Sequence, residues 1–166
     1  STVSIADRVL VMEGGRIVQS GKPEDIVLRP ANDYVREFIA NVNPLSVLTA
    51  WHVMRDARDL ESAGKGWVWL DRRKTTRFKL DKDNTVIDAE RNGQKSTWVS
   101  CDHAEDKVDE TQHPVFWANP GTSLRTVMLA MHKSHTAPVG LFDDQSRFVG
   151  AIGVRDVLQA VLRREG

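Results

Sequence analysis

An α+β chain in three successive parts is what the sequence predicts, on three observations. A Gly-Gly turn separates two short apolar runs near the start, a block of turn-separated β-type runs fills the middle, and a β-α-β-β-α order of elements closes the chain. Its 166 residues hold one ordinary domain or two small modules. Hydrophobic residues make up 40% and charged residues 28%, which excludes collagenous, low-complexity and wholly disordered chains. Twenty-three basic residues balance twenty-three acidic ones, so no excess of positive charge draws the chain to phosphate backbones, and nucleic acid is not an expected partner. The longest uncharged stretch, Phe38 to Met54, contains Pro44, Ser46, Thr49 and His52, and falls short of the ~20 apolar residues that cross a membrane. Cys101 is the single cysteine, so no internal disulfide forms and a reducing, cytoplasmic setting is expected. The chain opens at Ser1, and its first elements read as the tail of something larger.

In the first part, Arg8 to Met12 is nearly all apolar, as a strand covered on both faces would be. Glu13-Gly14-Gly15-Arg16 supplies the positive φ of a tight hairpin turn, and Ile17-Val18 returns. Gly21 breaks the strand. Pro23 suits the first position of a helix, and Glu24 and Asp25 favour its positive end, so a helix runs to about Leu28. Pro30 stops it. Asn32 or Asp33 then caps a second helix, whose Tyr34, Val35, Phe38 and Ile39 recur at helical spacing. Asn41 to Pro44 reads as a boundary.

The second part is expected to start with a helix from Val47 to Arg58, with Val47, Leu48, Trp51 and Met54 on one face. Beyond Gly64 the period changes. Trp67 to Leu70, Thr76 to Leu80, Thr85 to Glu90 and Ser96 to Ser100 are β-type runs separated by polar turns, which predicts an antiparallel meander. From Asp102 to His113 five carboxylates face only Lys107, the composition of a solvated linker.

The third part begins with a strand at Val115-Phe116-Trp117. Thr122 or Ser123 caps a helix that turns Leu124, Val127, Met128 and Met131 inward. Pro138 to Phe142 and Arg147 to Ile152 form a hairpin about Asp143 to Ser146. Val154 to Leu162 closes as a helix, with Val157, Leu158, Val161 and Leu162 available to the core.

Two segments resemble known families. Asp7-Arg8-Val9, Met12 to Val18 and Gly21-Lys22-Pro23-Glu24-Asp25-Ile26 resemble the segment after the switch histidine of ATP-binding-cassette (ABC) ATPases. Pro30-Ala31-Asn32-Asp33-Tyr34-Val35 resembles the branch that powers import of glycine betaine, proline and choline, whose ATPases typically end in a pair of cystathionine-β-synthase (CBS) modules. Ala137-Pro138-Val139, Phe142-Asp143-Asp144 and Phe148 to Ile152 are similar to such a module. The resemblance implies a remnant of the ATPase domain over 1–42, a first CBS module and acidic linker over 43–112, and a second module over 113–166. The middle departs from the family by being strand-rich. Because Val53 to Asp56 still looks like the entry helix of a CBS pair, a degenerate first module is favoured over a replacement.

Several constellations bear on chemistry. ATP hydrolysis needs a glycine-rich phosphate loop with a lysine and a metal-binding hydroxyl. Gly15 to Gly21-Lys22-Pro23 has the wrong spacing and ends in proline, so the chain by itself is expected to hold no catalytic residues; its parent would use ATP and Mg. The CBS resemblance implies an adenine nucleotide in the cleft between modules. The implied residues are Asp156 for the ribose, Gly153 where the family carries a hydroxyl, Gly150 for close packing, and Pro138 and Val139 at the hairpin opening. The plainer reading of Asp156 is that it favours the first helical turn.

Trp51, Trp67, Trp69, Trp98 and Trp117 invite comparison with an aromatic cage for quaternary amines, but tryptophans in strands more often fill a core. Asp102, His103, Glu105, Asp106, Asp109, Glu110 and His113 match no compact metal loop, so no metal is expected. Between Arg72 and Lys82 six basic residues face Asp81 alone. The ordinary reading is a solvated turn; the functional one is a patch that approaches the acidic linker or an anionic membrane surface and lets go as salt rises, because exposed charges are screened over about 8 Å at physiological ionic strength.

The resulting expectation is a regulatory region of an osmoprotectant importer's ATPase subunit, sensing ionic strength or a nucleotide. Its expected partners are a second copy and, through the parent, the permease, which places it at the cytoplasmic side of the plasma membrane. The rival is a structural dimerisation module without a ligand.

Overall fold

Gly14 and Gly15, at φ of +56° and +78°, turn the chain back on itself at the start of the fold. Both lie in the left-handed region that a side chain resists. The strands they join are β2 (Arg8–Glu13) and β3 (Arg16–Gly21), with β1 (Thr2–Ile5) added antiparallel to β2. The computed structural model describes residues 2–5, 8–41, 44–104, 106 and 113–163. It divides into two compact units, Ser1–Leu48 with Val161–Gly166, and Thr49–Ala160.

In the first unit, α1 (Pro23–Leu28) starts at the expected proline, and α2 (Asp33–Ile39) is capped by Asn32, whose Oδ1 accepts from the Val35 amide at 2.9 Å. Val11, Ile26, Val35 and Ile39 form its buried core. The segment from Gly15 to Pro23 that loosely resembles a phosphate loop is thus a strand and a helix start. The expected boundary at Asn41 to Pro44 falls partly outside the described residues. A short helix, α3 (Pro44–Val47), follows.

The helix expected from Val47 to Arg58 does not form. Two 3-10 turns, Ala50–His52 and Ala57–Asp59, flank a two-residue strand, β4 (Arg55–Asp56). The backbone groups a helix would pair internally have other partners. The Ala50 and Trp51 amides donate to the carbonyls of Thr122 and Pro120, and β4 pairs with Gly150 and Ala151 at a sheet edge. Tertiary pairing therefore overrides an apolar spacing that suits a helix.

The meander forms an antiparallel sheet of five strands in sequence order: β5 (Ser62–Gly64), β6 (Trp67–Trp69), β7 (Thr76–Leu80), β8 (Val86–Arg91) and β9 (Gln94–Lys95). Ser96 to Ser100, expected as its last strand, belongs elsewhere. After the Ser96 amide bonds to Ala89, the chain changes sheets, and β10 (Trp98–Ser100) runs parallel to β11 (Val115–Ala118). The second sheet has the order β10, β11, β12 (Val139–Phe142), β13 (Phe148–Ile152), β4.

The expected β-α-β-β-α order holds. Ser123 Oγ accepts from the Thr126 amide at 3.2 Å and starts α4 (Leu124–Lys133), which carries the chain over to parallel β12. Leu124, Val127, Ala130 and Met131 are buried. The closing helix is α5 (Val154–Arg163). Val157 alone of its four expected core residues is buried, whereas Leu158 and Leu162 are 52% and 60% exposed. The hairpin between β12 and β13 is tied by Asp143, which accepts from the Arg147 and Gln145 amides and from Arg147 Nε. These bonds, the Arg147 amide's first, hold its carboxyl below the usual range.

The meander and the β-α-β-β-α segment share one core. Leu70, Phe78, Val86 and Ala89 pack with Val115, Phe142, Phe148 and Ala151. Phe78 sits 5.9 Å from both Phe142 and Phe148, centroid to centroid. Asn84 and Phe148 exchange hydrogen bonds between the two sheets. A Cβ on Gly140 would lie 2.3 Å from the Phe78 ring, and one on Gly150 would lie 2.3 Å from the Arg55 carbonyl oxygen.

Gly140→Ala and Gly150→Ala should therefore each lower unfolding free energy by about 1–3 kcal/mol. Gly150→Ala should cost more, since backbone rather than a ring must yield; urea denaturation showing either change to be neutral would contradict the close approach. Burial, aided by Asp102, pushes the Cys101 thiol from 9.0 up to about 12. Because the folded state keeps its proton where the unfolded state loses it, this contribution to stability declines as pH rises from 9.0 towards about 12. The thiol should resist aromatic disulfide reagents at neutral pH until the chain is unfolded; rapid native labelling would count against its burial.

Candidate functional site

Asp156 anchors the start of α5. Its Oδ2 accepts from the Gly153 amide at 2.7 Å and from Arg55 Nε at 3.0 Å. The first bond is half of a capping box, in which a carboxylate at the third helical position reaches back to the residue before the helix. The second is an ion pair whose side chains are 22% and 15% exposed. Arg55 also donates Nη2 to the Leu70 carbonyl, so one guanidinium joins β4, the end of β6 and α5.

The loop after Leu70 is tied by Asp71. Its Oδ1 accepts from the Thr75 and Thr76 amides, and its Oδ2 from the Thr75 hydroxyl. This turn presents Arg72 and Arg73, both exposed, beside the start of α5. Between them lies a cavity of about 420 Å³ lined also by Thr136, Pro138, Val154, Arg155 and Leu158.

Both carboxylates of the cavity are engaged by the protein's own donors. Among the described residues, Arg72, Arg73 and Arg155 have no carboxylate partner. The arrangement is a cationic pocket with an apolar wall of Pro138, Val154 and Leu158. Guanidinium groups present fixed forks that match phosphate oxygens. Asp156 Oδ1 takes part in none of the bonds that hold Oδ2, and faces no competing donor among the described residues.

Of the expected nucleotide-binding residues, Asp156, Gly153 and Pro138 line this cavity together. Val139 and Gly150 do not; they lie in β12 and β13, where Gly150 admits the Arg55 carbonyl. The Gly153 amide is already engaged by Asp156. Arg55 and Arg155 escaped the sequence reading. Arg72 and Arg73 were visible there only as part of the basic run, whose Lys74 and Arg77 pair with Glu61 and Glu90.

The tryptophans form no vacant cage. Arg77 stacks 4.3 Å from Trp67 and 5.4 Å from Trp69, measured to the ring centroids, so the chain's own cation occupies that face. Trp117 packs edge-on against Phe142. In the acidic segment His103 meets Asp106 at 2.9 Å, and no group of three or more metal-ligating side chains gathers among the described residues. Glu105, Asp109 and Glu110 lie outside those residues. No helix among them is long and apolar enough to cross a membrane.

Comparison with known proteins places this geometry in context. The family model of the CBS domain matches residues 108–163. The glycine betaine transport ATP-binding protein OpuAA of Bacillus subtilis is 26% identical over 95% of this chain and 38% of its own length. The glycine betaine/proline betaine transport system ATP-binding protein ProV of Salmonella typhimurium is 30% identical over 98% of this chain and 42% of its own. The chain thus spans about two fifths of these curated relatives. The solved structure of CBSX2 in complex with AMP superposes with a TM-score of 0.51 at 9% identity, covering 72% of this chain and 99% of that one, which supports a CBS-type α+β fold. Along nearly its whole length the chain is thus similar to glycine betaine and proline betaine ABC transporter ATP-binding proteins, with a CBS domain matched at residues 108–163.

Proposed function

We propose that the chain is the regulatory C-terminal region of the ATPase subunit of an osmoprotectant importer. In this reading residues 1–42 close the nucleotide-binding domain, 43–112 are a degenerate first CBS module and its linker, and 113–166 are the second. The region biases ATP-driven uptake according to an adenine nucleotide or ionic strength. Its partners are a second ATPase subunit and the permease, at the cytoplasmic face of the membrane.

The observation that carries the proposal is the arginine-lined cavity beside Asp156. A nucleotide would lay its phosphates on Arg72, Arg73 and Arg155, its base against Pro138, Val154 and Leu158, and a ribose hydroxyl on Asp156 Oδ1. The AMP complex of the CBSX2 structure supports this choice of ligand class. The three arginines, without a carboxylate partner among the described residues, also supply the salt dependence, since exposed positive charge is screened as ionic strength rises. The same patch would meet anionic lipid or the acidic linker at low salt.

A second reading rests on Leu129 and Leu158, which are 41% and 52% exposed. Apolar residues on the outer faces of α4 and α5 suit a structural contact between copies, without any ligand.

Calorimetric titration of the chain with AMP and ATP separates the two. The regulatory reading expects saturable binding, weakened about tenfold or more in an Arg72→Gln/Arg73→Gln variant, weakened further by Asp156→Ala, and falling as salt is raised. Absence of binding, together with a sedimentation profile showing a dimer indifferent to salt and nucleotide, would overturn it in favour of the structural contact.

A further inference from the structure

One side chain of the cavity at α5, Arg55, bonds to elements that lie far apart in sequence. Its backbone is set by β4, where Arg55 pairs with Ala151 of β13 and the adjoining Asp56 with Gly150. Gly150 admits it, since a Cβ there would lie 2.3 Å from the Arg55 carbonyl oxygen. From that sheet edge the guanidinium divides its donors. Nη2 goes to the carbonyl of Leu70, the residue before Asp71 ties the loop of Arg72 and Arg73, and Nε goes to Asp156 Oδ2 at 3.0 Å.

The consequence for Asp156 is geometric. The last torsion of an aspartate is broad, so a carboxylate held at one point still swings about its own axis. Here Oδ2 accepts from the Gly153 amide at 2.7 Å as well as from Arg55. One donor is backbone, and the other is a guanidinium braced by its second bond to Leu70, so together they fix the carboxylate plane. Oδ1 is left without a partner among the described residues. The Asp156 side chain is only 15% exposed, so little water reaches it to replace a hydroxyl that a ligand lacks. Capping of α5 needs the Gly153 bond alone; the Arg55 bond is additional to it.

We infer that Arg55 is a positioning residue that gives this cavity its selectivity for ribose over deoxyribose, by holding Asp156 so that Oδ1 meets a sugar hydroxyl. The inference rests on the cavity binding an adenine nucleotide, as proposed above, and adds to it the residue that decides between sugars. Arg72, Arg73 and Arg155 set affinity for the phosphate, which ribose and deoxyribose nucleotides share. A lysine at position 55 keeps the charge but lacks the rigid fork that bonds Leu70 and Asp156 at once.

Calorimetric titration of the chain with AMP, 2′-deoxy-AMP and 3′-deoxy-AMP at one salt concentration tests it. AMP is expected to bind about tenfold more tightly than at least one deoxy analogue, the loss of one hydrogen bond to a charged acceptor. Arg55→Gln should reduce that ratio to about threefold or less. Because all three ligands carry the same phosphate, the charge removed at position 55 cancels from the ratio. In an Asp156→Ala background, where the preference is already lost, Arg55→Gln should change the ratio no further, as expected of a residue that acts through Asp156. Should Arg55→Gln fail to fold, Arg55→Lys should show the same fall. No binding of AMP to the unaltered chain would overturn the nucleotide reading, and this inference with it. AMP binding without preference over either analogue, or with a preference that survives substitution of Arg55, would overturn the role of Arg55 alone and leave the nucleotide site standing.

Discussion

The contact between Phe78 and the bare backbone of Gly140 is the constraint on which the larger unit depends. A side chain at position 140 would force that ring to move, as the 2.3 Å approach of a notional Cβ makes plain. Through it the meander seats an aromatic residue against the second sheet, where Phe142 and Phe148 close around it. Burying a phenylalanine fully is worth about 1.5–3 kcal/mol, and here the gain is directional as well. Phe78 pairs with Val68 of β6, so the contact seats the β6–β7 hairpin, from whose loop Arg72 and Arg73 project, on the second sheet.

Local chemistry made much of this fold legible. Pro23 and Asn32 mark helix starts through their own backbone and side-chain preferences, so α1 and α2 appear where the sequence places them. The Gly14-Gly15 turn and the Ser123 cap are legible for the same reason. Failures occur where partners distant in sequence decide. Leu48, Trp51 and Met54 have helical spacing, yet the Ala50 and Trp51 amides donate to the carbonyls of Thr122 and Pro120. Ser96 to Ser100 reads as one more β-type run after a polar turn, but β11 offers it a parallel partner. Neither neighbour can be inferred from spacing within the segment.

The candidate site was legible in one half only. Asp156 and Gly153 stand out because they belong to a local helix start. Arg55, about a hundred residues away, carries no motif; its role comes from β4 pairing with β13 and so reaching Asp156. Hydrogen bonding then reassigns roles within the site. Asp156 is at once a helix cap and an ion-pair partner, so in the proposed binding mode a phosphate falls to the arginines. The same logic separates free from engaged charge elsewhere. Arg77 is held by two tryptophans and Glu90, whereas Arg72, Arg73 and Arg155 have no carboxylate partner among the described residues.

The most direct test of the central claim, that the arginine-lined cavity at the start of α5 is where an adenine nucleotide is sensed, is an amide-resolved NMR titration of the chain with AMP. The account expects the largest saturable shifts at Arg72, Arg73, Thr136, Gly153, Arg155 and Asp156, diminishing as salt is added. Shifts absent from these residues, or confined to surfaces remote from Asp156, would contradict it.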